Sequence, residues 1–170
     1  MNLADEHIEQ IISDNGGNFN PDEFLDDREM LHPIIVQELV AWRNWHGFST
    51  QITSAYRTTG SHITGKAIDV LVWKDWRQTQ PDPMHLWRMA TTWPFLGVGI
   101  YFDWNDGIGL HLDVIREGRQ RPLRWIRSEG HYYYQNVEHG NFWCQEITEM
   151  TTLEKEINTY LAISEKPKMK

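Results

Sequence analysis

One acid in an apolar strand constrains this chain more than any other residue. Ala67-Ile68-Asp69-Val70-Leu71-Val72 sets Asp69 among Val, Leu and Ile, a composition that reads as a β-strand over Lys66–Trp73. A carboxylate in such a segment is costly unless it is paired or bound to a metal. A salt bridge to Lys66 or Arg57 and a metal site explain it equally well. Whichever holds, the fold has to bring partners to the middle of a strand.

The flanking sequence supplies a framework. Ile8, Ile11 and Ile12 give a short helical pattern before the Gly16-Gly17 break. Pro33 sits where a helix takes its first residue. Ile35, Val36, Leu39, Val40 and Trp42 follow at helical spacing up to Gly47, predicting a helix over about 33–46. Gln51–Tyr56 reads as a strand, and a polar turn at Thr58–Ser61 separates it from the Asp69 strand. Pro81-Asp82-Pro83 starts a helix over about 83–93, ended by Pro94. Gly97–Phe102 and Gly109–Ile115 are two short strands around an Asp103–Gly107 turn, a hairpin pattern. Ile147, Met150, Leu153, Ile157 and Leu161 form one stripe of a last helix over about 145–163, with a loose tail at 164–170. Helices and strands mix without βαβ alternation. The expectation is a single α+β domain with a small, mainly antiparallel sheet flanked by helices.

Bulk properties narrow the function classes. The 170 residues suit one compact domain, with a formal net charge of −8. There is no long basic stretch, which argues against nucleic acid or an anionic membrane as the main partner. No apolar run approaches the roughly 18–20 residues of a membrane span. Cys144 is the only cysteine, so an internal disulfide and a cysteine-based zinc cluster are excluded. The nine tryptophans serve either a core filled with large aromatics or an aromatic-lined groove for sugar or peptide.

The residues that carry chemistry are His62, Asp69 and His111. A catalytic zinc takes three protein ligands of imidazole or carboxylate type and keeps one position for water. Gly65, between His62 and Asp69, permits a tight reversal that can bring those two side chains to one point. Strand alternation puts His111 and Asp113 on one face, with Leu110, Leu112 and Val114 on the other. A strand lining a wet site has this pattern. His131 and His139 flank Tyr132-Tyr133-Tyr134, read as a strand or loop packing on the core. His7, His32, His46 and His85 read as helix-end or surface residues.

At these positions the chain resembles the zinc peptidase family of the D-Ala-D-Ala carboxypeptidases and related murein endopeptidases. His62-Ile63-Thr64-Gly65-Lys66-Ala67-Ile68-Asp69 matches the H-x-x-G-x-A-x-D part of that family's first motif, S-x-H-x-x-G-x-A-x-D. His111-Leu112-Asp113 matches the H-x-D second motif of one branch, and Gly97-Val98-Gly99-Ile100-Tyr101 resembles its G-x-G-x-Y strand. Upstream, Ile52-Thr53-Ser54-Ala55-Tyr56-Arg57 resembles an I-T-S-G-Y-R strand; downstream, Arg124-Trp125 resembles a closing R-W element. The likeness runs in one consistent order over about residues 33–126. Residues 1–32 are then an acidic helical segment of the same domain, and 127–170 an aromatic segment and helix.

The resemblance implies the fold shared by hedgehog-type domains and D-Ala-D-Ala peptidases. It implies zinc on His62, Asp69 and His111, with Arg57 at the substrate end, and hydrolysis of a peptide bond in peptidoglycan stem peptides or cross-links. The chain departs from the pattern at Gly60, where the family has serine, and in the short span from Arg57 to His62. Ile108 stands where other branches carry the glutamate of E-x-x-H. The general base is therefore expected at Asp113 or, in the preceding turn, Asp106. Asp113 has a second possible role, orienting a ligand histidine. A metal-bearing binding module with little catalysis is the competing reading. The acidic N-terminus lacks the layout of a secretory signal, so the expectation is a chain made in a cytoplasm. A phage enzyme released at lysis or carried in a virion fits that expectation.

Overall fold

The computed structural model describes residues 3–24, 28–58, 60–75, 77–114, 122–135 and 142–144. The helix expected over about 145–163, the tail 164–170 and His139 lie outside the described residues.

Among the described residues three α-helices accompany a single mixed sheet, and apolar side chains of all three join its core. Helix α1 spans Leu3–Asp14, α2 Pro33–His46 and α3 Pro83–Thr92. The strands are β1 Ser49–Ser54, β2 Ala67–Trp73, β3 Gly97–Trp104, β4 Gly107–Asp113, β5 Leu123–Ser128, β6 His131–Gln135 and β7 Phe142–Cys144. They are ordered β1-β2-β4-β3-β5-β6-β7. All neighbours are antiparallel except β3 and β5, which run parallel. The α+β class and the mainly antiparallel sheet agree with the sequence reading. At seven strands, however, the sheet is larger than the small one expected. Among the described residues no helix is long and apolar enough to cross a membrane.

Local chemistry explains the helix limits. His32 caps α2, its Nδ1 accepting from the Ile34 N–H, and Pro33 takes the first turn, where its missing N–H costs nothing. Gly47 ends the helix in the left-handed region at φ 74°. Asp82 caps α3 by accepting from the Met84 and His85 N–H groups. The buried Trp42 indole N–H donates to the Met89 carbonyl at 3.1 Å, tying α2 to α3 without leaving a polar group unsatisfied.

Alternation along the strands separates two faces. Ile68, Val70, Val98, Ile100, Leu110, Leu112, Ile126 and Tyr133 join the apolar side chains of α2 and α3 in one core. The opposite face carries Asp69, His111, Asp113, Tyr101 and Trp125, by the pairings Asp69↔His111↔Gly99↔Trp125. Every residue of β2 is buried, so at this strand the second face is shielded as well.

His46 gives the fold a pH dependence. Its ring lies edge-on to Trp42 at 4.3 Å, and its Nδ1 accepts from the Phe48 N–H at 2.9 Å. Burial, then the charges of Arg43 and His85, push its pKa down to about 4 from the ordinary 6.5. The unfolded chain takes up that proton at higher pH than the folded protein does, so stability falls as pH drops from 6.5 toward 4. With the ring partly solvated, the loss is about 1–2 kcal/mol between pH 7 and 4.5. Guanidinium denaturation at the two pH values is expected to find this loss in wild type and not in His46→Gln.

Candidate metal centre

Three donor atoms converge behind β2. Asp69 Oδ1 is 2.8 Å from His111 Nδ1 and 3.3 Å from His62 Nε2, and the two imidazole nitrogens are 3.3 Å apart. The sheet register supplies two of the three, because Asp69 and His111 are directly paired on adjacent strands. His62 arrives from the 3-10 turn Gly60–Thr64. Gly65 follows it at φ 65°, and a β-carbon there would lie 2.0 Å from the Met30 carbonyl oxygen. Only glycine meets both demands, so the reversal expected from Gly65 has a steric reason as well as a conformational one.

The side chains are buried: His62 is 1% exposed, His111 3% and Asp69 5%. Donors about 2.0–2.1 Å from a tetrahedral ion stand about 3.3–3.4 Å from one another. Two of the separations match that edge, and the third is somewhat shorter. The group could therefore hold a metal ion.

The His62 and Asp69 atoms turned away from the convergence point are also engaged. His62 Nδ1–H donates to the Ala55 carbonyl, which leaves Nε2 as the nitrogen with a free lone pair. His111 turns Nε2 toward Asp113 Oδ2, 3.8 Å away. Asp69 Oδ2 accepts from Arg57 Nη2 at 2.8 Å. Burial alone would raise the Asp69 pKa, but the contacts that His111 and His62 make with it hold the carboxyl well below the usual range. Burial would depress His111, and Asp113 and Asp69 overcome it and raise its pKa.

The sequence-derived residues thus fall into three positions. His62, Asp69, His111 and Arg57 come together. The pairing of Asp69 with Arg57 is present, but the two histidines also crowd the same carboxylate, so a plain ion pair does not account for the arrangement. Lys66 is not among the partners. Asp113 lies at the far nitrogen of His111, 2% exposed, with neither carboxylate oxygen hydrogen-bonded. Asp106 is exposed in the β3–β4 turn. It lines a cleft of about 420 Å³ together with Arg57, Asp69, Asp103 and Trp104. Asp103 is occupied elsewhere, by Arg127 at 3.2 Å and the Gly130 N–H at 2.9 Å.

Sequence reasoning missed the Ala55 carbonyl, for which a backbone atom gives no signal, and the full part played by Trp125. The Trp125 ring lies 5.1 Å from that of His111, and its indole N–H donates to the Tyr101 hydroxyl at 3.2 Å. Trp42 and Trp87 fill the core, and among the described residues Trp104 is the single aromatic residue that borders the cleft.

No protein-family model, curated protein or solved structure matches the chain.

Gly97 lies across the sheet from Asp113, and a β-carbon there would sit 1.9 Å from Asp113 Oδ2. Gly97→Ala is therefore expected to cost about 1–3 kcal/mol by overpacking. Adding Asp113→Ala should recover part of that loss in a double-mutant cycle read by chemical denaturation.

Proposed function

We propose that the protein is a zinc-dependent peptidase acting on peptidoglycan stem peptides or cross-links. The observation that carries the metal is the division of labour at each donor. One atom of each side chain faces the common point and the other faces a fixed partner, as is usual for metal-bound histidine and carboxylate. Two imidazoles and a carboxylate suit zinc, and three protein ligands are the number found in catalytic sites. The peptide substrate rests on the resemblance of the H-x-x-G-x-A-x-D and H-x-D segments to the D-Ala-D-Ala peptidases. A cleft bordered by Asp69 and Arg57 is compatible with it.

Bound zinc supplies Lewis acidity, lowering the pKa of water from about 16 toward 7 and polarising a carbonyl. The chain's own groups divide the remaining work. Arg57, half-exposed at the cleft, offers guanidinium N–H groups to the oxygen that gains charge as the carbonyl is attacked. Asp106 is the better general base, because it is exposed on the cleft and no hydrogen bond or ion pair joins it to a described residue. It takes a proton at its carboxylate and returns it to the leaving amine. Asp113 is enclosed behind His111 and orients that imidazole instead. Release at phage lysis or carriage in a virion would give such an enzyme access to cell wall.

Untagged protein is expected to hold about one equivalent of zinc, and His62→Ala to hold little. Zinc-loaded wild type should release peptide from purified cell walls, and Asp106→Ala should be slower by about 10²–10³-fold with zinc content unchanged. A zinc-loaded wild type that releases nothing sinks the peptidase and leaves a metal-bearing binding module. Asp113→Ala is expected to weaken zinc binding about 10–100-fold in a chelator competition. An unchanged affinity would remove its orienting role.

A further inference from the structure

Resting on the reading that His62, Asp69 and His111 hold a metal, we infer that Arg57 restricts Asp69 to a single ligand oxygen and so keeps a coordination position open. The two carboxylate oxygens have separate partners. Oδ1 lies 2.8 and 3.3 Å from the converging nitrogens, whereas Oδ2 lies 2.8 Å from Arg57 Nη2. A carboxylate can bind a cation through one oxygen or both. A charge-assisted hydrogen bond of this length holds Oδ2 away from the centre.

Local backbone structure puts Arg57 there. The register of β1 against β2 shifts between Ile52 and Ser54, so that Ser54 stands opposite Asp69. A bulge of this kind re-aims the strand that carries it. The chain leaving β1 then passes the site, where the Ala55 carbonyl accepts from His62 and Arg57 reaches Asp69. One three-residue segment therefore fixes the outer atoms of two donors. Arg57 is 49% exposed on its side chain, and an ion pair so accessible to water contributes little to stability. Its consequence is geometric: with Oδ2 engaged, Asp69 fills one coordination position rather than two. Arg57 is in this respect a positioning residue.

Cobalt(II) replacing zinc reports coordination number, because its visible d–d absorption weakens as ligands are added. Wild type loaded with cobalt should give the intense spectrum of a four-coordinate ion. Arg57→Ala should give a weaker spectrum with one more bound oxygen by X-ray absorption. Methylguanidinium supplied to the cobalt-loaded variant should restore the intense form, since the position is open to the cleft. An Arg57→Ala spectrum identical to wild type overturns the inference, as does a changed spectrum that methylguanidinium leaves unaltered. In either case release of peptide from cell walls by wild type still stands. Conversely, a cobalt-loaded wild type with the expected spectral response but no peptide release removes the peptidase reading and leaves this inference. A wild type that takes up no cobalt removes both.

Discussion

The structure is organised around the Asp69 carboxylate in the middle of a fully buried strand. Its Oδ1 lies within 3.3 Å of two imidazole nitrogens and its Oδ2 on a guanidinium. Each partner demands its own piece of backbone. His111 needs β4 paired to β2 in one register, since a slip by one residue would send it into the apolar core. His62 needs a turn tight enough to return beside β2, and Gly65 against Met30 makes that turn. Arg57 needs the bulge in β1. A buried carboxylate is tolerable only where such partners exist, so Asp69 and the local irregularities around it belong together.

The same demand explains why glycines interrupt the central strands. On the face that carries the site, β-carbons at Gly97, Gly99 and Gly109 would meet Asp113, the Trp125 indole and the Trp104 ring respectively, each within 2.2 Å. Large side chains lie flat across the sheet there because the strand beneath has no side chain to lift them. The G-x-G element is thus a packing device: one glycine admits the acid behind His111, and the other admits the indole beside it. Loss of side-chain contacts at three strand positions weakens a sheet, and the opposite face offsets this with a continuous layer of Val, Ile and Leu against α2 and α3.

Where local signals agreed, the sequence was legible. Proline, helical spacing and glycine bounded α2 within a residue of its observed limits. The apolar run marked β2, and alternation assigned the two faces of β4 correctly. His62, Asp69 and His111, which the sequence singles out, do come together in space. What escaped was structure that no local pattern encodes. Strand β5 follows Pro122 and places Arg124 and Arg127 around Trp125 and Ile126, with no apolar–polar alternation to mark it as a strand. Its arginines are accommodated by partners distant in sequence: Arg124 donates to the Phe95 and Leu96 carbonyls, and Arg127 pairs with Asp103. The parallel pairing of β5 with β3 is likewise non-local. The separation of the two acids was hidden for the same reason. Strand alternation puts Asp113 on the face of His111, but only coordinates tell which ring nitrogen it meets.

The three donors share one design, and it differs from that of an ordinary buried ion pair. In an ion pair the charged atoms satisfy one another and little else is required of them. Here each donor has an inward atom and an outward atom, and the outward ones are met by different means: a carbonyl for His62, a carboxylate for His111 and a guanidinium for Asp69. The hydrogen bonds to the outer atoms of His62 and Asp69 fix a tautomer and a carboxylate tilt, while the inner atoms crowd at separations close to the edge of a tetrahedron. As a source of stability alone such a network is weak, because an apolar packing of the same volume is often at least as stable. That convergence suits a cation joining the three, and the group could hold one.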